Sequence, residues 1–178
     1  DLYQVGDAKD ELVTVDQVYQ EGLWPESRTH LIDPFEYGRY AVKLYDVASN
    51  RLIYSRGFDS TYAEYKTTTP AIDGVKRVFE RSVRVPLPKR PFLFVIEGRD
   101  KQHLLHPLFS RTVDPSDYHL IRETTAAGDF VYEAHVTGDP HAKVDLVFLA
   151  YSDLRHDEVM HRASLVQAAG AGVAVLGP

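Results

Sequence analysis

The chain has 178 residues, a formal net charge of −6 and no cysteine. That length is one domain, or one domain with an appendage, and it buries a core without staples. The acidic balance disfavours nucleic acid as a bulk partner, since phosphate neutralisation needs a basic surface, and the missing cysteines exclude disulfides and thiolate metal sites.

An apolar fraction of 44% argues against disorder, and 11 tyrosines with 8 phenylalanines favour strands. No stretch is long and apolar enough to span a bilayer. The start at Asp1, without a basic-then-apolar leader, points to a trimmed chain, so nothing about export follows from it.

In chain order, residues 2–5 read as a short strand. Residues 10–20 carry Leu12, Val15 and Tyr19 at helix spacing, but the β-branched content favours a strand. Trp24 before Pro25 must be extended, and residues 29–38 read as an irregular loop. Tyr40, Val42 and Leu44 then alternate, Ser49-Asn50 turns the chain, and Leu52, Ile53 and Tyr54 return it, which predicts a hairpin. Gly57 stands where a bulge or a close backbone approach is expected.

Residues 62–70 are a polar connection into a strand predicted over 75–85. There Val75, Phe79 and Val83 share one face with Arg77 and Arg81, as at a partly exposed edge. The turn Pro86-Leu-Pro-Lys-Arg-Pro91 leads to Phe92-Leu-Phe-Val-Ile96, apolar on both faces like a central strand. Another strand over 108–113 ends at the turn signal Asp114-Pro-Ser-Asp117. Further strands are predicted over 118–123, 130–136 and 144–149. Residues 153–169 are expected to be helical, and the Gly/Ala-rich tail 168–178 a weak helix or frayed end. The fold class is all-β: an antiparallel β-sandwich of roughly eight strands with a short helical or irregular C-terminal appendage. The predicted division is a sandwich over 1–143 and a second segment over 144–178.

Chemistry candidates are sparse. His156-Asp-Glu-Val-Met-His161 resembles a zinc-protease motif, but its histidines are five apart. One helical face needs a spacing of four, with the glutamate directly after the first histidine. A solvated helix face is the expectation there. Asp145 and Asp153 near strand ends have no histidine or serine at a recognisable spacing, so an acid-pair hydrolase is the weakest reading. No catalytic residue, metal ligand or cofactor site is assigned. The one local charge bias is Lys76, Arg77, Arg81, Arg84, Lys89 and Arg90, interrupted by Asp73 and Glu80. The ordinary reading is a charge-protected edge strand, and the functional one a docking face for an acidic partner or a neighbouring domain. Trp24, Tyr37, Tyr62 and Tyr65 are candidates for an exposed aromatic recognition patch, against an equal expectation that they serve the core.

Five motifs in order carry a likeness: Leu31-Ile-Asp-Pro-Phe-Glu-Tyr-Gly38, Leu52-Ile-Tyr-Ser-Arg-Gly-Phe58, Glu64-Tyr-Lys-Thr-Thr68, the run from Phe79-Glu-Arg-Ser-Val-Arg-Val85 through Pro91, and Val95-Ile-Glu-Gly-Arg-Asp100. Together they resemble the N-terminal domain of the IgA-peptidase-like M64 family of zinc metallopeptidases, known largely from Bacteroides-type bacteria. The likeness runs from about residue 2 to 150.

It implies a non-catalytic β-sandwich placed before a catalytic domain, in a secreted, periplasmic or surface-attached protein. It also implies that the HExxH zinc motif belongs to that later domain, which would be the partner, with a protein or glycoprotein substrate beyond it. Val144-Asp-Leu-Val-Phe-Leu-Ala150 is similar to the first strand of the catalytic domain. The family usually continues with Glu-Gly-Tyr, where this chain has Tyr151-Ser-Asp153, and it usually has tryptophan where Tyr65 stands. An independent glycan or glycoprotein binding module using the four aromatic rings is the alternative.

Overall fold

The computed structural model describes residues 1–20, 24, 26–117, 119–122, 130–135, 145–149 and 172–177. The chain divides into two compact units, one of Asp1–Trp24 and Leu31–Glu123, the other of Pro25–His30 and Thr124–Pro178.

The first unit is built from two antiparallel sheets. In the smaller, β1 (Leu2–Gly6) lies between β2 (Glu11–Val15) and β6 (Arg77–Arg81). In the larger, β4 (Tyr40–Asp46) and β7 (Phe92–Arg99) are central, flanked by β5 (Arg51–Phe58) and β8 (Leu105–Val113). Alternation explains these strands: on β1, Leu2 and Gln4 are buried while Tyr3 and Val5 are half-exposed. The core lies between the sheets, where Leu2 and Val13 from one meet Val42, Leu44, Tyr54, Phe92 and Ile96 from the other. This is the expected sandwich.

The hairpin formed as expected, with Asn50 left-handed in its turn at φ 52°. Asparagine tolerates that conformation because its short side chain bonds locally. β7 is central as predicted, paired on both sides with β4 and β8. Pro107 falls where the β7–β8 register shifts, on an edge strand that can spare a donor. Residues 19–20 form β3 (Tyr19–Gln20), which pairs in parallel with β9 (Ile121–Arg122), a shorter strand than expected over 118–123. Asp114 accepts from the Ser116 backbone N–H at 2.9 Å, making the predicted turn.

Within this unit the outcome differs from the sequence reading at two elements. The predicted strand over 75–85 pairs only over Arg77–Arg81, because β1 supplies partners for five residues and then ends. The polar connection after β5, given no element in the sequence reading, forms two short helices, α1 (Thr61–Tyr65) and α2 (Thr69–Ile72), the second opened by Pro70. Their buried side, Tyr62, Tyr65 and Ala71, forms a second small cluster with Ala8 and Phe79.

In the second unit, β12 (Gly172–Gly177) lies between β10 (Phe130–His135) and β11 (Asp145–Leu149), antiparallel to the first and parallel to the second. The tail is thus a strand over 172–177 rather than a weak helix or frayed end. The helix expected over 153–169, the His156–His161 motif and Asp153 lie outside the described residues.

Candidate interaction surface

The loop between residues 31 and 38 presents the most exposed aromatic pair in the described chain. Phe35 is 67% and Tyr37 74% exposed. Their rings stack on each other at 5.4 Å with 12° between planes.

Nothing about this loop is slack. Its first residues run along the β5 edge, where Ser55 N–H donates to the Leu31 carbonyl at 2.9 Å and Asp33 N–H donates to the Ser55 hydroxyl at 2.9 Å. Asp33 then gathers three backbone donors: Phe35 N–H at 2.9 Å, Glu36 N–H at 3.3 Å and Gly57 N–H at 3.0 Å. Burial pushes the Asp33 carboxyl up, but those three donors and the Arg56 charge outweigh it and hold it below the usual carboxylate range. From the other side, Arg99 donates to the carbonyls of Gly38 at 3.0 Å, of His103 at 2.6 Å, and of Glu36. Lys43 on β4 pairs with Glu36 at 3.3 Å and with Glu97 at 2.8 Å.

The backbone conformation carries a cost. Glu36 is left-handed at φ 48° and Gly38 sits at φ 101°. A non-glycine residue in that region costs on the order of 1 kcal/mol, so the surrounding bonds over-determine it. Gly57 supplies the close approach expected of it, since a Cβ there would lie 1.6 Å from the Tyr37 carbonyl oxygen. The loop therefore fits over β5 only because residue 57 has no side chain.

The structure does not bring the four aromatic candidates together. Tyr62 is 0% and Tyr65 6% exposed, so the expected exposure of these two rings is overturned. Tyr62 shares its hydroxyl hydrogen between the carbonyls of Asp7 and Asp10, at 3.0 and 2.9 Å. Tyr65 donates to the Val75 carbonyl at 2.5 Å. Both are anchors for the short helices, and the phenol supplies the polar end that a buried ring needs. Trp24 is half-buried, edge-on to Tyr54 at 5.9 Å. Only Tyr37 remains fully outward, and its partner there is Phe35, which sequence reasoning missed. The one available signal was the frame of Asp33-Pro34 and Gly38 around two aromatics two residues apart.

The basic candidates divide in the same way. On β6, Arg77 lies over the Tyr65 ring at 5.2 Å and Arg81 over the Phe58 ring at 5.4 Å. That explains how arginines share a face with Phe79: the guanidinium plane covers aromatic surface while its rim keeps hydrogen-bonding edges. Arg84 is exposed beyond the strand's end. Lys76 bridges Asp7 at 3.0 Å and Asp10 at 2.6 Å. Lys89 and Arg90 stand instead in the proline-rich turn, where Arg90 pairs with Asp46 at 3.0 Å.

Among the described residues two histidines pair with carboxylates, His106 with Asp100 at 2.6 Å and His119 with Asp117 at 2.9 Å. Asp100 also accepts from the backbone of Gln102 and Leu104, so the first pair closes the β7–β8 turn. The carboxylate of the second accepts from its partner's own backbone N–H, as in an Asx turn. Among the described residues no group of three or more His, Cys, Asp or Glu comes together that could hold a metal ion.

The first unit is thus an antiparallel sandwich that carries an exposed, braced aromatic pair on one loop. The family model described as Peptidase M64 N-terminus matches residues 1–110, and the chain belongs to this family. The match covers the 31–38 loop, the smaller sheet and the larger sheet as far as the middle of β8. No curated protein matches the chain. Among the described residues no helix is long and apolar enough to cross a membrane.

Proposed function

We propose that this chain is a non-catalytic accessory domain of an exported M64-type metallopeptidase, and that the Phe35–Tyr37 ridge seats against the catalytic domain and orients it. The observation that carries the reading is the cost of the loop. Two large apolar rings stand in water on a backbone that includes a left-handed glutamate, held by Asp33 and Arg99. Strain and exposed apolar surface bring a lone domain nothing, whereas a rigid aromatic anchor lowers the ordering cost of docking. Family membership supports a peptidase domain as that occupant. The glycan-module reading relied on four rings sharing a cleft, and two of those rings are buried.

The test is to add the isolated peptidase domain of the parent protein to this chain and to its F35A/Y37A variant. Anchor residues of this kind are worth about 2 kcal/mol or more each, so affinity is expected to fall by more than tenfold. Equal affinity of the two would remove the ridge from the interface. The chain alone is expected to bind no stoichiometric zinc and to cleave no protein. One zinc per chain by elemental analysis, with chelator-sensitive proteolysis, overturns the non-catalytic assignment.

A further inference from the structure

At the opposite end of the β4–β5 hairpin from the ridge, the proline-rich turn passes the hairpin tip and leaves a groove of about 240 Å³. Its apolar walls are Ile53 and Pro88, and its polar rim carries Arg51, Lys89 and Arg90. Beneath them lies a single carboxylate, Asp46, whose side chain is 7% exposed. Asp46 accepts from the Ser49 backbone N–H at 3.0 Å and from the Ser49 hydroxyl at 2.5 Å, and it pairs with Arg90 at 3.0 Å. That carboxylate is therefore fully used within the fold, and it fixes one of the three cations in place. Arg51 and Lys89 form no ion pair among the described residues. Three cations stand around one neutralised carboxylate, on a chain whose formal net charge is −6.

We infer that this groove is a second interaction site, which takes an extended acidic segment of a partner protein. A glutamate side chain laid along Ile53 and Pro88 would place its methylenes on apolar surface and its carboxylate between Arg51 and Lys89, with Arg90 already held by Asp46. Arginine suits this role because its planar fork matches a carboxylate in two bonds. A nucleic acid fits poorly, since three cations are a short stretch and the rest of the surface is repulsive. The rim is solvent-exposed, so the charges set attraction and register, and salt weakens them. The site is separate from the ridge: β4 runs from Tyr40 to Asp46 between the two, and seven strand residues span about 20 Å.

The test is a nuclear magnetic resonance titration of the isotopically labelled whole chain with capped hexaglutamate, with hexaglutamine and inorganic sulfate as separate arms. The expected result is amide shifts confined to Ser49, Arg51, Lys89 and Arg90 and their sequence neighbours, produced by hexaglutamate alone. Binding should weaken roughly tenfold in the R51E/K89E variant, whose exposed positions leave the fold intact by circular dichroism. The F35A/Y37A variant should bind hexaglutamate unchanged, which keeps this result apart from the fate of the ridge. Absence of shifts, equal shifts from hexaglutamine, equal binding of sulfate, or retained affinity in R51E/K89E each overturn the proposal.

Discussion

Asp33 shows how much of the candidate surface depends on one side chain. Its Oδ1 and Oδ2 together accept from Phe35, Glu36 and Gly57, tying the aromatic loop to the edge strand it covers. Asparagine keeps the shape and one acceptor but turns an amide NH₂ toward the Gly57 N–H or toward the loop. Asp33→Asn is therefore expected to cost about 1–3 kcal/mol in a urea melt at neutral pH. The pH dependence follows from the direction of the shift. The folded carboxyl lies below its ordinary value, so its stabilisation is fully present above about pH 4 and is lost as pH falls through the folded pKa. The gap between native and variant should then close in acid. Asp7, Asp46 and Asp100 are held low by the same kind of backbone and side-chain donors, so both proteins lose stability there. A gap that stays constant from neutral to strongly acidic pH would show that the Asp33 charge does not hold the loop.

At the scale of elements, the short helices are the part that sequence patterning did not show. β4 was legible because its apolar residues alternate over seven positions, β7 because its run is apolar on both faces, and β1 and β5 as short apolar-rich stretches. α1 has five residues, and its two buried rings sit among Glu64, Lys66 and Thr67, so the stretch reads as solvated. What holds it is not visible locally: Lys66 reaches Glu11 on β2 at 2.7 Å, with side chains 17% and 9% exposed. The same limit hid Phe35, since a loop's exposure depends on contacts far along the chain, such as that of Arg99 with Gly38. The Lys66–Glu11 pair is shielded enough that breaking it differs from removing it. Lys66→Met leaves a largely buried carboxylate without its cation and is expected to cost about 3 kcal/mol, whereas adding Glu11→Leu should recover most of that. Additive losses in the double variant would mean that the two side chains act independently and that α1 is held by Tyr62 and Tyr65 alone.

For the whole molecule, the question is which stretch of chain carries the fold. Among the described residues the two apolar clusters are made of residues of the first unit, and each of its two large sheets is hydrogen-bonded from strands of that unit. The family match over residues 1–110 ends inside β8, before β10 begins. β9 adds a two-residue pairing with β3, which brings the end of the first unit back to its beginning. A domain of this length normally folds alone. A chain ending at Glu123 is therefore expected to unfold in a single cooperative step, with a midpoint close to that of the whole chain's first transition. The braced loop should survive intact, because Asp33, Gly57 and Arg99 all lie within that stretch. Residues 25–30 group with the second unit although they fall within the retained sequence, so this segment is where the shortened chain should gain protease sensitivity first. If the shortened chain instead lacks a cooperative transition by calorimetry, the sandwich depends on residues after 123, and the accessory domain has to be redrawn to include them.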